Sequence, residues 1–361
     1  MMENINSRVL ELAPYQPGKP IEELSRELGI GDAIKLASNE NPRGPGLGVQ
    51  QALTDATSGL SRYPDSTGYR LKRMLADRLD VDETQITLGN GSNDVLELAA
   101  RVALSPGSVG IVDEYCFVVY PLAITAAHGK VRPVSAVDWG HDLDGMAAAI
   151  DSATRMVYIA NPNNPTGTWV SRNNLEKFLN RVPEQVWVVL DEAYFEYVDR
   201  NDYPDGVKML VDYPNLIVTR TFSKIHGLAA MRIGYSVTSA DFANLMNRIR
   251  QPFNVNTLAL VAAEAALNDD DFVGTSRKLN TSGMDYLIDG LNKLGYPPIS
   301  SLGNFISFEC GKASHGIYQG LLKRGVIVRP LRNYGMNEHL RVTVGLPDEN
   351  ARFLDALSQI S

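Results

Sequence analysis

LIVTRTFSKIHGLAAMRIGY, residues 216–235, begins as a short apolar run and turns abruptly into hydroxyl, cationic and small side chains. The run at 216–219 reads as a strand. Behind it come Thr221, Ser223 and Lys224, then Gly227 and Arg232. In open α/β sheets ligands bind beyond the carboxyl ends of the strands, so this stop is a place for chemistry. A lysine becomes a covalent catalyst only when its amine is deprotonated, which desolvation or bond formation to a carbonyl carbon brings about. The hydroxyls of Thr221 and Ser223 and the guanidinium of Arg232 can bind a phosphate from one side. A single lysine is ordinarily a solvated surface charge; here its neighbours reverse that reading.

Outward from this segment the same pattern recurs. Apolar runs at 85–88, 109–112, 156–160 and 186–190 each stop at polar or glycine-bearing residues, and helix-like segments at 94–104, 173–180, 241–250 and 256–267 lie between or after them. This alternation predicts an α/β fold with a mostly parallel sheet. VWVVLDEAY (186–194) ends a strand in Asp191, Glu192 and Tyr194. A carboxylate there can face a cationic ring nitrogen, which is how proteins keep pyridoxal phosphate electron-withdrawing; a solvated acidic turn explains the residues equally well in isolation. ITLGNGSNDVLEL (86–98) reads as strand, glycine turn and helix, and a helix N-terminus attracts anions, with Gly91, Ser92 and Asn93 as candidate contacts. IANPNNPTG (159–167) is dense in turn formers, and turn chemistry alone accounts for its composition.

Beyond residue 270 the texture changes. A long amphipathic stretch at 271–294 leads to Pro297-Pro298 and strand-like runs at 304–309 and 326–329, predicting a smaller α+β C-terminal domain. The resulting division is an irregular, proline-rich arm (1–40), a large domain (41–255) and a small domain (256–361). The 361-residue chain is long enough to bury a large core. Its 44% hydrophobic and 21% charged residues are those of a globular protein. A net charge of −8 without blocks of like charge argues against nucleic acid or an anionic membrane as partner. Cys116 and Cys310 are far apart and outside any Cys/His pattern, so neither a disulfide framework nor a structural metal site is expected. The N-terminus lacks the basic and apolar regions of a secretion signal, and no apolar stretch reaches membrane-spanning length, so a cytoplasmic location is expected.

The four motifs taken together resemble the class I/II aminotransferases, pyridoxal-phosphate enzymes of fold type I. The resemblance runs over nearly the whole chain and implies a large domain with a seven-stranded, mostly parallel sheet between helices. It implies that Lys224 carries the cofactor as a Schiff base, Asp191 faces the pyridine nitrogen, and Asn164 of NPTG and Tyr194 of DEAY hold the phenolic oxygen. Gly91, Ser92, Asn93, Thr221, Ser223 and Arg232 then form the phosphate cup. The arm motif APYQPGKP, the SNENPRGP segment (38–45), RYPD (62–65), NPNNPTG, and VIVRPLRNYG followed by LRVTVG are similar to the histidinol-phosphate aminotransferase family. That similarity implies transamination between L-histidinol phosphate and 2-oxoglutarate (or, in reverse, glutamate) in histidine biosynthesis. It implies a homodimer with shared sites, Tyr63 reaching the cofactor phosphate of the neighbouring subunit. Arg341 would hold the substrate carboxylate, with Tyr15, Asn39 and Arg329 as further substrate contacts.

DEYCFVVY (113–120) departs from the family's Pro/Ser turn before the aromatic that stacks on the cofactor. Phe117 fits the F-x-x-Y spacing and Tyr115 stands close, so both are candidates. Ile225 and Met231 are also unusual neighbours of the lysine loop, at positions without a polar role. The rival activities are transamination of aromatic amino acids and decarboxylation of a phosphorylated amino acid. A transcription regulator with an aminotransferase-like domain would need a DNA-binding module ahead of it, and the proline-rich, non-basic residues 1–40 do not supply one.

Overall fold

The computed structural model describes residues 9, 10, 12, 14 and 18–360. Its strands are β1 (Ile34–Lys35), β2 (Ile86–Gly89), β3 (Val109–Asp113), β4 (Lys130–Val134), β5 (Thr154–Ala160), β6 (Trp187–Asp191), β7 (Leu216–Thr221), β8 (Gly234–Val237), β9 (Phe305–Glu309), β10 (Val326–Ile327), β11 (Arg329–Pro330) and β12 (His339–Thr343). The large sheet has seven strands in the order β2-β8-β7-β6-β5-β3-β4. Only β8 runs against its neighbours, pairing antiparallel with both β2 and β7. The other pairings are parallel.

Parallel strands covered by helices on both faces must be apolar on both. Successive side chains point to opposite sides of a strand, and the central strands divide accordingly. Val157, Ile159, Val188, Leu190, Leu216 and Val218 enter one core. Met156, Tyr158, Val189 and Ile217 enter the other. The parallel register sets Ala160 beside Asp191 and Asp191 beside Thr219, so the carboxyl ends of β5, β6 and β7 open on one edge. Just beneath that edge Arg220 donates from Nε and Nη2 to Glu192 at 2.9 and 2.7 Å and from Nη2 to Asp205 at 2.8 Å. Burial pushes the Glu192 carboxyl above its ordinary range, and the Arg220 charge opposes that rise; the guanidinium lies 3.6 Å from the centre of the Phe195 ring.

Two strands of this sheet carry weak sequence signals. β4 is an edge strand containing Pro133, a residue tolerated only where no ladder hydrogen bond is needed. β8 begins at Gly234, where a Cβ would come within 2.5 Å of the Ser92 amide nitrogen; glycine lets the turn at Gly91 and Ser92 approach the sheet.

The C-terminal part is the antiparallel sheet β11-β12-β9, packed with the helices Asp270–Lys293, Ser314–Lys323 and Pro347–Ser358 around Leu287, Phe308, Leu321, Val342 and Phe353. The chain's division differs from the sequence expectation at two points. Residues 18–40 are not irregular throughout: Ile21–Leu28 is a helix, and β1 pairs in parallel with β10. Leu24 and Ala37 share a core with Leu322 and Ile327, so this segment is built into the C-terminal unit. Conversely, the helix Thr257–Leu267 places Ala259, Leu260, Ala262, Ala263 and Ala266 in the large-sheet core. Its run of alanines permits the close approach, and the division near residue 256 falls before an element that packs with the large domain. Among the described residues no helix is long and apolar enough to cross a membrane.

Candidate active site

Lys224 comes after β7, and its Nζ donates to the Ser38 carbonyl at 3.3 Å and lies 5.5 Å from the centre of the Tyr194 ring. Burial is the main reason its amine is pulled down to about 8, with the Arg341 and Arg232 charges adding to the effect. A neutral amine is therefore accessible near neutral pH without extreme conditions. The cost of burying the charged form has a sign that can be measured. Between about 8 and the ordinary lysine value of 10.5 the unfolded chain binds the proton that the folded chain has lost, so stability rises with pH across that window. Urea unfolding of the cofactor-free chain between pH 8 and 9.5 is expected to show a steeper rise in midpoint than the Lys224→Met variant, which cannot titrate there. Equal slopes would contradict the assignment.

Asp191, at the end of β6, is 5% exposed. Tyr120 donates its hydroxyl to one carboxylate oxygen at 2.7 Å and Thr219 to the other at 3.0 Å. Burial raises its carboxyl above the usual range, and these two bonds, the Ala193 amide and the Lys224 charge oppose that rise. A cationic N–H placed against this carboxylate would complete the compensation.

The helix Ser92–Ala103 starts after Gly91, which has φ +83° and provides no side-chain cap. Its first-turn amides therefore face the cavity with the favourable end of the helix dipole. A Cβ on Gly91 would lie 2.4 Å from Arg232 Nη2, so only glycine allows the guanidinium to close over this turn. Arg232 itself has φ +57° and donates from Nη1 to Ser223 Oγ at 3.2 Å and to the Ala229 carbonyl at 3.0 Å. Ser223 in turn has its amide on Thr221 Oγ1 at 3.1 Å.

Ser92, Asn93, Asp191, Thr221, Ser223, Lys224 and Arg232 line one cavity of about 180 Å³, together with Phe117, Tyr120, Asn164, Tyr194, Arg329, Tyr334 and Arg341; Gly91 shapes the turn behind it without lining it. Of the two aromatic candidates, Phe117 faces this cavity. Tyr115 is turned against Trp139, with ring centres 5.2 Å apart. The Tyr194 hydroxyl accepts from Asn39 Nδ2 at 2.8 Å. Asn39 is held at φ +56° by its amide donating to Thr343 Oγ1 at 3.0 Å, and Asn304 Nδ2 donates to its carbonyl at 3.1 Å. Arg329 and Arg341 are register partners across β11 and β12 and both are buried. Arg341 donates to Asn164 Oδ1 and, at 3.0 Å, to the Ala37 carbonyl.

The donor set fits pyridoxal phosphate: a cationic and hydroxyl-lined cup at a free helix N-terminus, a buried carboxylate for a ring nitrogen, an aromatic face and a lysine of lowered pKa. Tyr63 does not line the cavity; it is 83% exposed and stacks on Phe253 with centres 4.7 Å apart. Tyr15 falls outside the described residues. Sequence reasoning did not single out Tyr120, Thr219 or Tyr334. Tyr120 had a signal, because the F-x-x-Y spacing that selects Phe117 also places a tyrosine one helical turn on. Thr219 had a weaker one, as the register neighbour of Asp191.

Fold and cavity define a pyridoxal-phosphate-dependent enzyme of fold type I. Residues 31–357 match the family model for aminotransferase class I and II. The chain is 54% identical over 354 residues to histidinol-phosphate aminotransferase 2 of Pseudomonas fluorescens strain Pf0-1, covering 98% of this chain and 96% of that protein. It is 52% identical over 349 residues to histidinol-phosphate aminotransferase 1 of Nitrosococcus oceani, covering 97% and 94%. Among solved structures it is similar to the histidinol-phosphate aminotransferase of Sinorhizobium meliloti in complex with pyridoxal-5'-phosphate, with a TM-score of 0.90 at 28% identity, covering 100% of this chain and 98% of that one. The chain belongs to the class I and II aminotransferases and, within them, to the histidinol-phosphate aminotransferase family.

Proposed function

We propose that this chain transfers the amino group between L-histidinol phosphate and 2-oxoglutarate, a step of histidine biosynthesis in the cytoplasm, using pyridoxal 5'-phosphate bound at Lys224. The observation that carries this reading is the pair of buried arginines, Arg329 and Arg341, facing each other across β11 and β12 on the same cavity as the lysine. Guanidinium groups match phosphate and carboxylate alike. One cationic wall thus serves the phosphate of the amino donor in the first half-reaction and the carboxylates of 2-oxoglutarate in the second.

When bound, the cofactor supplies an electron sink for the pair left behind as the substrate Cα proton departs. Arg232, Ser223, Thr221, Ser92, Asn93 and the amides after Gly91 would hold its phosphate. Phe117 would cover a ring face, while Asn164 and Tyr194 would donate toward the phenolic oxygen. The Arg341–Asn164 bond seen here must rearrange or be shared as substrate enters. Asp191 would hold a proton on the ring nitrogen. Lys224 Nζ would take the substrate's Cα proton as general base and, as general acid, deliver it to the cofactor's C4′ carbon instead of back to Cα. Asn39 and Arg329 orient the substrate. Rates with histidinol phosphate and with phenylalanine, each against 2-oxoglutarate, test the substrate assignment. Turnover of histidinol phosphate well above phenylalanine supports it, and no turnover of histidinol phosphate overturns it.

The same proposal includes a homodimer with shared sites. Support comes from Tyr63, a large aromatic left exposed beside Phe253, with Leu60 and Tyr69 on the same stretch also exposed. If Tyr63 completes the phosphate cup of the partner, mixing two inactive variants restores one intact site per mixed dimer. Co-refolded Lys224→Ala and Tyr63→Ala chains are expected to show activity well above the sum of the separate preparations. No gain on mixing would place Tyr63 outside the shared site.

A further inference from the structure

Besides the groups given cofactor or substrate roles, the site contains a fully buried tyrosine. Tyr120 is 1% exposed, and its hydroxyl donates to Asp191 Oδ2 at 2.7 Å. Its ring is fixed from two sides: it stacks on Tyr158 with centres 4.7 Å apart and meets Phe117 edge-on at 5.8 Å. Tyr158 is itself buried in the core beneath the sheet. The tyrosine therefore has no freedom to turn its hydroxyl away, and it ties the residue on the ring face to the residue at the ring nitrogen.

From this geometry we infer that Tyr120 is a positioning residue for the reaction: its hydroxyl donates permanently to Asp191, keeping that carboxylate ionised and aimed at the ring nitrogen. The inference rests on the reading of the cavity as the cofactor site. Asp191 needs such help because burial alone favours its neutral form. A neutral Asp191 would be a poor counter-charge for a protonated ring nitrogen. Thr219 occupies the other oxygen at 3.0 Å, so each carboxylate oxygen has one fixed donor and keeps a lone pair for the ring N–H. Desolvation, first, and the adjacent Asp191 charge hold the Tyr120 phenol well above the ordinary tyrosine range. It consequently stays protonated, and a donor to Asp191, across the neutral range.

The test uses Tyr120→Phe, which keeps the ring, its stacking and its volume and removes only the hydroxyl. A hydrogen bond to a charged group contributes enough that its loss should weaken cofactor retention by roughly ten- to a hundredfold. The second readout is the pH midpoint of the bound cofactor's absorption band. With Asp191 less anionic, the ring withdraws fewer electrons, and the midpoint is expected to move upward. A role limited to packing would leave that midpoint in place. Thr219→Val, which removes the donor on the other oxygen, should shift it in the same direction and keeps the question open to an answer if Tyr120→Phe folds poorly. Wild-type midpoint and retention in whichever of the two variants folds would overturn the inference. A wild-type chain that forms no Lys224-dependent absorption band would instead overturn the reading of the cavity on which it rests.

Discussion

Lys224→Ala is expected to remove the absorption band of the covalently held cofactor and to lower turnover by about 10⁴-fold, the upper range for loss of a positioned acid–base group. Both effects trace to one amine. It is the group in the cavity whose pKa, about 8, lets it act as a nucleophile and as a proton carrier at neutral pH. No neighbour can take over. The Tyr194 phenol is driven well above its ordinary value by burial, and Asp191 is committed to Tyr120 and Thr219 on the far side of the ring position. The phosphate cup proposed above does not include Lys224, so the variant should still bind the cofactor non-covalently, seen as a spectrum of the free aldehyde that co-purifies or can be added back. Alanine also leaves a space where a small primary amine fits, and added methylamine should recover part of the lost rate. A variant retaining both the band and near-normal turnover would assign the chemistry to another residue.

How much of this site could be read from the sequence depended on whether its parts were local. Ser223, Lys224 and Arg232 lie within one turn after one strand, and Asp191 ends another, so strand-end chemistry made them legible. The cup at Gly91 was legible because a glycine turn opening a helix has its own physical meaning. The contact of Arg341 with Asn164 joins residues 177 positions apart, and nothing in either segment announces it. The same holds for Asn39, whose left-handed backbone is fixed by Thr343 from the C-terminal sheet. Residues 18–40 looked irregular because their strand is two residues long and its partner, β10, lies some three hundred positions away. β4 and β8 were missed for opposite reasons: a proline at a sheet edge, and a strand that starts with glycine because backbone passes too close for a side chain. Phe117 and Tyr115 could be separated only once their side chains had directions, one toward the cavity and one against Trp139.

Asp191→Asn is expected to lower kcat by about 10²–10³-fold, comparable to deleting a fixed electrostatic contact from a transition state. The change is nearly isosteric, so Phe117, Tyr120 and Tyr158 keep their packing. What it removes is charge. An amide cannot balance a proton on the ring nitrogen; its oxygen still accepts from Tyr120, and the Thr219 hydroxyl can accept from its NH₂ group. The ring nitrogen is then held neutral, and the electrons left at Cα have a weaker sink. The loss should appear in kcat more than in KM, because the substrate's anionic groups still meet Arg329 and Arg341. Stability should move the other way or not at all. The cofactor-free chain buries a carboxylate whose desolvation is only partly offset, and a neutral amide of the same shape avoids that cost. The discriminating result is therefore a variant that melts, without cofactor, no lower than wild type and yet turns over hundreds of times more slowly. A slow enzyme with a collapsed melting temperature would point to misfolding, and full activity in a well-folded variant would show that the ring nitrogen does not need the charge of Asp191.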